Sequence, residues 1–83
     1  MKLSVFEQLV LKEIKRKYDN GFSFVKEHKQ NKLFFIVNNE KVLIVPRNFH
    51  CLCNVFIGGK LAGDANLIKI LNGFMNTPLT ERE

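Results

Sequence analysis

Apolar residues recur at helical spacing near the start of the chain. Phe6, Leu9, Val10 and Ile14 form a stripe that Leu3 and Tyr18 extend, while Gln8, Lys12, Lys15 and Arg16 fall on other faces. The spacing predicts an amphipathic helix. Ser4 and Glu7 stand three apart, as in a capping box that would satisfy the first free amides. Glu13 precedes Lys17 by four residues, the favourable order for a helical ion pair. Lys15-Arg16-Lys17 puts positive charge in the last turn, where it complements the helix dipole. Asp19-Asn20-Gly21 then supplies residues that tolerate left-handed backbone and end the element.

The pattern changes after Gly21. Phe22 to His28 alternates, with Phe22, Phe24 and Lys26 on one face and Ser23, Val25 and Glu27 on the other. Lys29-Gln30-Asn31 turns into Lys32-Leu33-Phe34-Phe35-Ile36-Val37. A second turn at Asn38-Asn39 leads to Lys41-Val42-Leu43-Ile44-Val45, and both runs are rich in β-branched and aromatic side chains. Two adjacent asparagines accept the positive φ that a tight hairpin requires. Pairing across them sets Val37 against Glu40, Phe35 against Val42 and Leu33 against Ile44, with Phe34 facing Leu43 on the reverse side. One face would pack on helices. The other would carry Phe34, Ile36, Leu43 and Val45.

Such an apolar second face needs a cover. It is either a dimer or partner surface, or it lies under Phe49, Leu52, Val55 and Phe56 of the same chain. Residues His50 to Ile57 read as a fourth strand, with a short helix as the other option. Gly58 to Gly63 is a loop, and Asp64 suits the N-cap of a second helix that buries Leu67, Ile68, Leu71 and Met75. Asn72-Gly73 weakens or ends that helix. The expected fold is α+β: a helix, a three- or four-stranded antiparallel sheet, and a C-terminal helix. It occupies 1–76 as one domain, with 77–83 as a frayed polar tail.

Eighty-three residues suffice for one small core, and 46% hydrophobic content with eight Phe argues against overall disorder. The net charge of +5 favours polyanionic or acidic partners. Between residues 12 and 32 there are seven Lys or Arg against three acids, so this stretch holds +4 of that charge. Lys12, Lys15, Arg16, Lys26, Lys29 and Lys32 are the candidate nucleic-acid contacts, on the expectation that the first helix and first hairpin share a surface. No aromatic stands plainly exposed among them, so recognition of phosphates and duplex shape is expected rather than base stacking.

Cys51 and Cys53 are separated by one residue. On a strand they would share a face, and a bridge between them would be strained, so reduced thiols and a cytoplasmic setting are expected. No secretory signal opens the chain and no apolar run spans a bilayer. His28, His50, Cys51 and Cys53 offer metal-compatible atoms, but a lone Cys-x-Cys lacks the paired spacing of a zinc site, so no metal or cofactor is expected. Gly58-Gly59-Lys60 lacks the spacing of a phosphate-binding loop. The acids are scattered among lysines, unlike a metal-dependent nuclease. No catalytic residues are assigned.

The order helix, three strands, helix resembles that of double-stranded-RNA-binding domains and of compact HicA-type toxins. Lys41-Val42-Leu43-Ile44-Val45-Pro46-Arg47 is similar to the third strand and Val-Pro-Arg of the HicA-like proteins. Gly59-Lys60-Leu61 through Ile68-Lys69-Ile70-Leu71 is similar to their last helix. Where that family has its nucleolytic histidine this chain has Gln30-Asn31-Lys32, and Asn48 to Ile57 is an insertion. The resemblance therefore implies the fold and RNA as partner, but not nuclease activity. In the RNA-binding domains, contacts come from the first helix, the first hairpin loop and lysines at the last helix. Here Lys60 and then Asp64 occupy that last position, so the third contact is nearly missing.

Size and the use of Lys, Asn and Phe are also similar to small accessory proteins of T-even-type phages, among them inhibitors of toxin–antitoxin ribonucleases such as ToxN-inhibitory factors. These likenesses imply an RNA-binding protein that, by the phage comparison, restrains a host toxin ribonuclease in the bacterial host cytoplasm. The residues themselves add the expectation that it is non-enzymatic and, from its apolar second face and small size, homodimeric. The alternative is a protein–protein inhibitor or adaptor for an acidic or apolar host-protein surface.

Overall fold

A computed structural model describes residues 1–19, 22–49 and 51–82. Helix α1 (Leu3–Tyr18) is followed by strands β1 (Phe24–Lys29), β2 (Lys32–Val37), β3 (Glu40–Pro46) and β4 (Phe56–Ile57), and then by helix α2 (Ala65–Met75). The strands form one antiparallel sheet in the order β1-β2-β3-β4. This is the expected α+β order, with the fourth strand present. Gln30 and Asn31 have φ of 54° and 61°, and Asn38 and Asn39 have 52° and 65°. Both hairpins thus turn through paired left-handed residues, whose twist matches that of the strands.

The register of the second hairpin differs from the simple alternation. Val37 does oppose Glu40, but Phe35 opposes Leu43, Phe34 opposes Ile44 and Leu33 opposes Val45, because a bulge lies between Phe35 and Ile36. One extra residue in β3 reverses the facing of everything beyond it. Val42 and Leu43 are both buried in consequence. Leu43 and Val45, expected on the second face, are fully buried among the core residues. Phe34 and Ile36 do lie on the second face, and Ile44 joins them. Replacing Leu43 with alanine should therefore cost about 2–5 kcal/mol of stability and Ile44→Ala about 1 kcal/mol. Urea denaturation of the two variants checks this, since the unbulged register requires the opposite ranking.

Both helices cover the other face. Phe6, Val10 and Ile14 of α1 and Leu67, Leu71 and Phe74 of α2 meet Leu33, Phe35, Val37, Val42, Leu43 and Val45 in one core. Phe6 stacks on Phe74 with ring centres 4.2 Å apart and meets Phe35 edge-on at 6.3 Å. Gly59 closes the loop into α2 at φ 59°, and a Cβ there would stand 2.5 Å from the Tyr18 hydroxyl oxygen. That hydroxyl accepts the Lys60 amide at 3.0 Å. Asp64 caps α2 as expected, accepting from the Asn66 amide at 3.3 Å. The helix continues through Gly73 to Met75 rather than ending there.

The start of α1 and the tail depart from expectation together. The N-cap is Lys2, without a side-chain bond, and Ser4 lies inside the helix. In place of a capping box, the Leu3 amide donates to the Arg82 carbonyl and the N-terminal amine to Thr77 Oγ1. Residues 77–82 are thus not frayed. Thr77 and Arg82 are buried, and Leu79–Glu81 forms a 3-10 turn. Glu13 pairs with Arg16 rather than Lys17. Helix α1 ends at Tyr18, before Asp19 at φ 56°; Asn20 and Gly21 lie outside the described residues.

Phe49 and residues 51–57 do not fold over the second face. Phe49 enters the core beside Phe74, Leu52–Asn54 is a 3-10 turn, and Leu52 and Val55 pack against the core from the margin. Only Phe56 and Ile57 pair as strand, Phe56 opposite Ile44 and Ile57 opposite Leu43. Cys51 caps the turn and Cys53 lies within it, and the two form a disulfide, not the free thiols expected of a strand. The turn sets their Cα atoms 5.3 Å apart, within the range a disulfide bridges.

Candidate functional site

Strand alternation and the bulge decide which side chains face away from the helices. Val25 opposes Ile36, and Glu27 opposes Phe34. Phe34 opposes Ile44, which opposes Phe56. A row Phe34–Ile44–Phe56 thus crosses three strands, with Val25 and Ile36 beside it. Phe56 is 51% exposed and Val25 48%, while Phe34, Ile36 and Ile44 are half-buried. Neighbouring strands are about 4.8 Å apart, so the two Phe are about 10 Å apart along the row.

Cations frame this row. Lys41 opposes Ile36, and its Nζ lies 5.2 Å from the centre of the Phe34 ring. Lys29 and Lys32 oppose one another at the first turn and share the facing of Phe34. Glu27, Lys29, Gln30, Phe34 and Lys41 line a shallow depression of about 190 Å³. One acid, Glu27, thus stands among three lysines. A π face beside a cation is the pairing that nucleobases and phosphates meet in single-strand binders.

The six cationic residues expected to converge do not form one patch. Lys12 and Lys15 lie on the turn of α1 away from Phe6, Val10 and Ile14, where they line a groove of about 250 Å³ with Gln8 and Leu11. Arg16 bonds to Glu13 at 2.8 Å and to Asp64 at 3.1 Å. Its pKa is raised, chiefly by the hydrogen bond to Glu13 and further by Asp64. Lys26 faces the helix layer and meets Glu7 at 2.6 Å, with His28 Nε2 3.5 Å from the same carboxylate oxygen. Lys29 and Lys32 face the opposite side of the sheet from α1. The lysines of the helix and of the first turn are therefore separated by both layers of the fold.

Phe56, Ile44 and Lys41 were absent from the expected site. Lys41 opposes Ile36 in the simple alternation as well as in the structure, so its facing was legible, whereas Ile44 reaches this face only through the bulge. The half-buried Phe34 stands beside Lys29 and Lys41, and the exposed Phe56 lies two strands away on β4. Base stacking enters the range of chemistry this surface can perform.

Among the described residues, no three His, Cys, Asp or Glu side chains are grouped as metal ligands; His50, one of the metal-compatible residues of the sequence, lies outside them. No helix among those residues is long and apolar enough to cross a membrane. No protein-family model, curated protein or solved structure matches the chain. The likenesses to HicA-type toxins and double-stranded-RNA-binding domains thus rest on the order of elements and on short apolar matches.

Proposed function

We propose that this protein is a non-enzymatic RNA-binding module and that single-stranded RNA lies across the open face of the sheet. The observation that carries the reading is the row Phe34–Ile44–Phe56 edged by Lys29, Lys32 and Lys41. Four-stranded sheets that offer aromatic side chains to two or three bases are a recurrent means of holding single-stranded RNA. Phe34 and Phe56 are the stacking platforms, and the three lysines take phosphates. Lys12 and Lys15 add long-range attraction without contact. Inhibition of a host ribonuclease, as by the phage proteins of similar composition, would follow from occupying RNA that the enzyme needs.

Salt-titrated anisotropy with a labelled single strand and the matching duplex tests this. Three phosphate contacts predict a log–log salt slope of about −2 for the single strand, with the duplex bound more weakly. Tighter duplex binding that is abolished by Lys12→Glu/Lys15→Glu would overturn it.

The aliphatic residues Val25, Ile36 and Ile44 favour a second reading, in which the face receives an apolar protein surface, a second copy of the chain included. Sedimentation over a range of concentration separates the two. A tight dimer that excludes RNA supports the second reading, and a monomer that binds RNA supports the first.

A further inference from the structure

The chain's two cysteines stand in the turn before β4, apart from the surface just described. Cys51 and Cys53 form a disulfide across a single residue, and both residues are exposed. A cross-link restrains the unfolded chain according to the loop it closes, so a bridge over one residue does little for the fold. The neighbours Phe49, Leu52 and Val55 are held by their own packing against the core. A solvent-accessible bridge with so little structural duty belongs to the class that exchanges with external thiols.

We propose that Cys51-Leu52-Cys53 is a reversible thiol–disulfide exchange site whose co-substrate is a small thiol of the glutathione type. The thiolate of that molecule attacks Cys53 Sγ. The sulfur–sulfur bond breaks, Cys51 leaves as a thiolate with the electron pair, and a mixed disulfide forms at Cys53. A second small thiolate attacks its counterpart in the mixed disulfide and releases Cys53. The two protons lost by the small thiols end on Cys51 and Cys53. The protein is reduced by two electrons, and two small thiols are oxidised to their disulfide; the reverse sequence closes the bridge again.

Geometry assigns the roles of the two sulfurs. The Cys53 amide donates to Cys51 Sγ at 3.2 Å. A hydrogen bond to the charged form favours it, so Cys51 is the better leaving group and the nucleophile on reoxidation. The donor is backbone, so it survives replacement of either side chain.

The test equilibrates the folded chain in buffers of reduced and oxidised glutathione, quenches with acid, and alkylates with iodoacetamide before intact mass measurement. The expected result is a shift from unalkylated to doubly alkylated protein as the buffer becomes more reducing, with no denaturant present. Cys53→Ser, which leaves the Cys51 thiol, should react with Ellman's reagent at neutral pH about two- to threefold faster than Cys51→Ser, because the larger thiolate fraction one amide hydrogen bond supplies outweighs its lower nucleophilicity. Double alkylation at every buffer ratio would overturn the proposal, as would a bridge that opens only in denaturant. Equal rates in the two variants would overturn the assignment of Cys51.

Discussion

Arg82→Ala is expected to lower the unfolding free energy by about 3–5 kcal/mol, a large fraction of the total for a chain of this length. Arg82 is 4% exposed and has no carboxylate beside it among the described residues. Its guanidinium instead donates to four carbonyls from separate parts of the chain. Nε reaches Thr77 at 2.9 Å, one terminal nitrogen reaches Arg47 and Phe49 at 3.2 Å each, and the other reaches Met75 at 2.6 Å. The group also lies 5.4 Å from the Phe49 ring centre and 5.1 Å from that of Phe74.

Removing the side chain strands carbonyls at the end of α2 and after β3. Each buried, unpaired acceptor costs about 1–3 kcal/mol before water and relaxation recover part of it. Burial lowers the Arg82 pKa by desolvation, and the fork of donors compensates for the buried charge. Arg82→Lys should restore only part of the loss, because an ammonium cannot span the same four acceptors. Urea denaturation gives both values. A midpoint for Arg82→Ala equal to that of the parent would mean the tail is not docked.

Phe34→Ala and Phe56→Ala should each weaken single-stranded RNA binding by about 5- to 150-fold, the worth of one base–aromatic stack at 1–3 kcal/mol. The two rings stand about 10 Å apart on either side of Ile44, which both oppose, so their losses should add only in part in the double variant. The fold should survive, since Phe56 is half exposed and Phe34 only half-buried. Lys29→Ala/Lys32→Ala/Lys41→Ala should flatten the salt slope, whereas Lys12→Ala/Lys15→Ala should leave it nearly unchanged. A double phenylalanine variant of parental affinity would leave the aromatic row without a role in RNA binding.

Much of the architecture was legible because local chemistry and global fold agree. Asn38-Asn39 announces its turn, the stripe Phe6–Val10–Ile14 announces the buried side of α1, and Asp64 announces α2. The register of β3 was not legible. Val42-Leu43-Ile44-Val45 is unbroken apolar sequence and carries no period-two mark, so nothing local specifies which residue the bulge absorbs. Only packing against both helices chooses Val42 and Leu43 for the core. That choice moved half of the expected surface, Leu43 and Val45, to the interior.

The cationic residues failed as a group for a different reason. Counting lysines along the chain ignores strand parity, which sends Lys26 and Lys29 to opposite faces. It also ignores remote acids: Glu7 takes Lys26, and Asp64 takes a share of Arg16. The docked tail was hidden because Arg82 finds its partners among backbone carbonyls, which no side-chain pattern marks.

Amide chemical-shift mapping with a short single-stranded RNA tests the account most directly. Perturbations concentrated at Lys29, Phe34, Lys41, Ile44 and Phe56, with Lys12 and Lys15 little changed, are the predicted result. Perturbations confined to the outer turn of α1, with β2 and β4 silent, would contradict it.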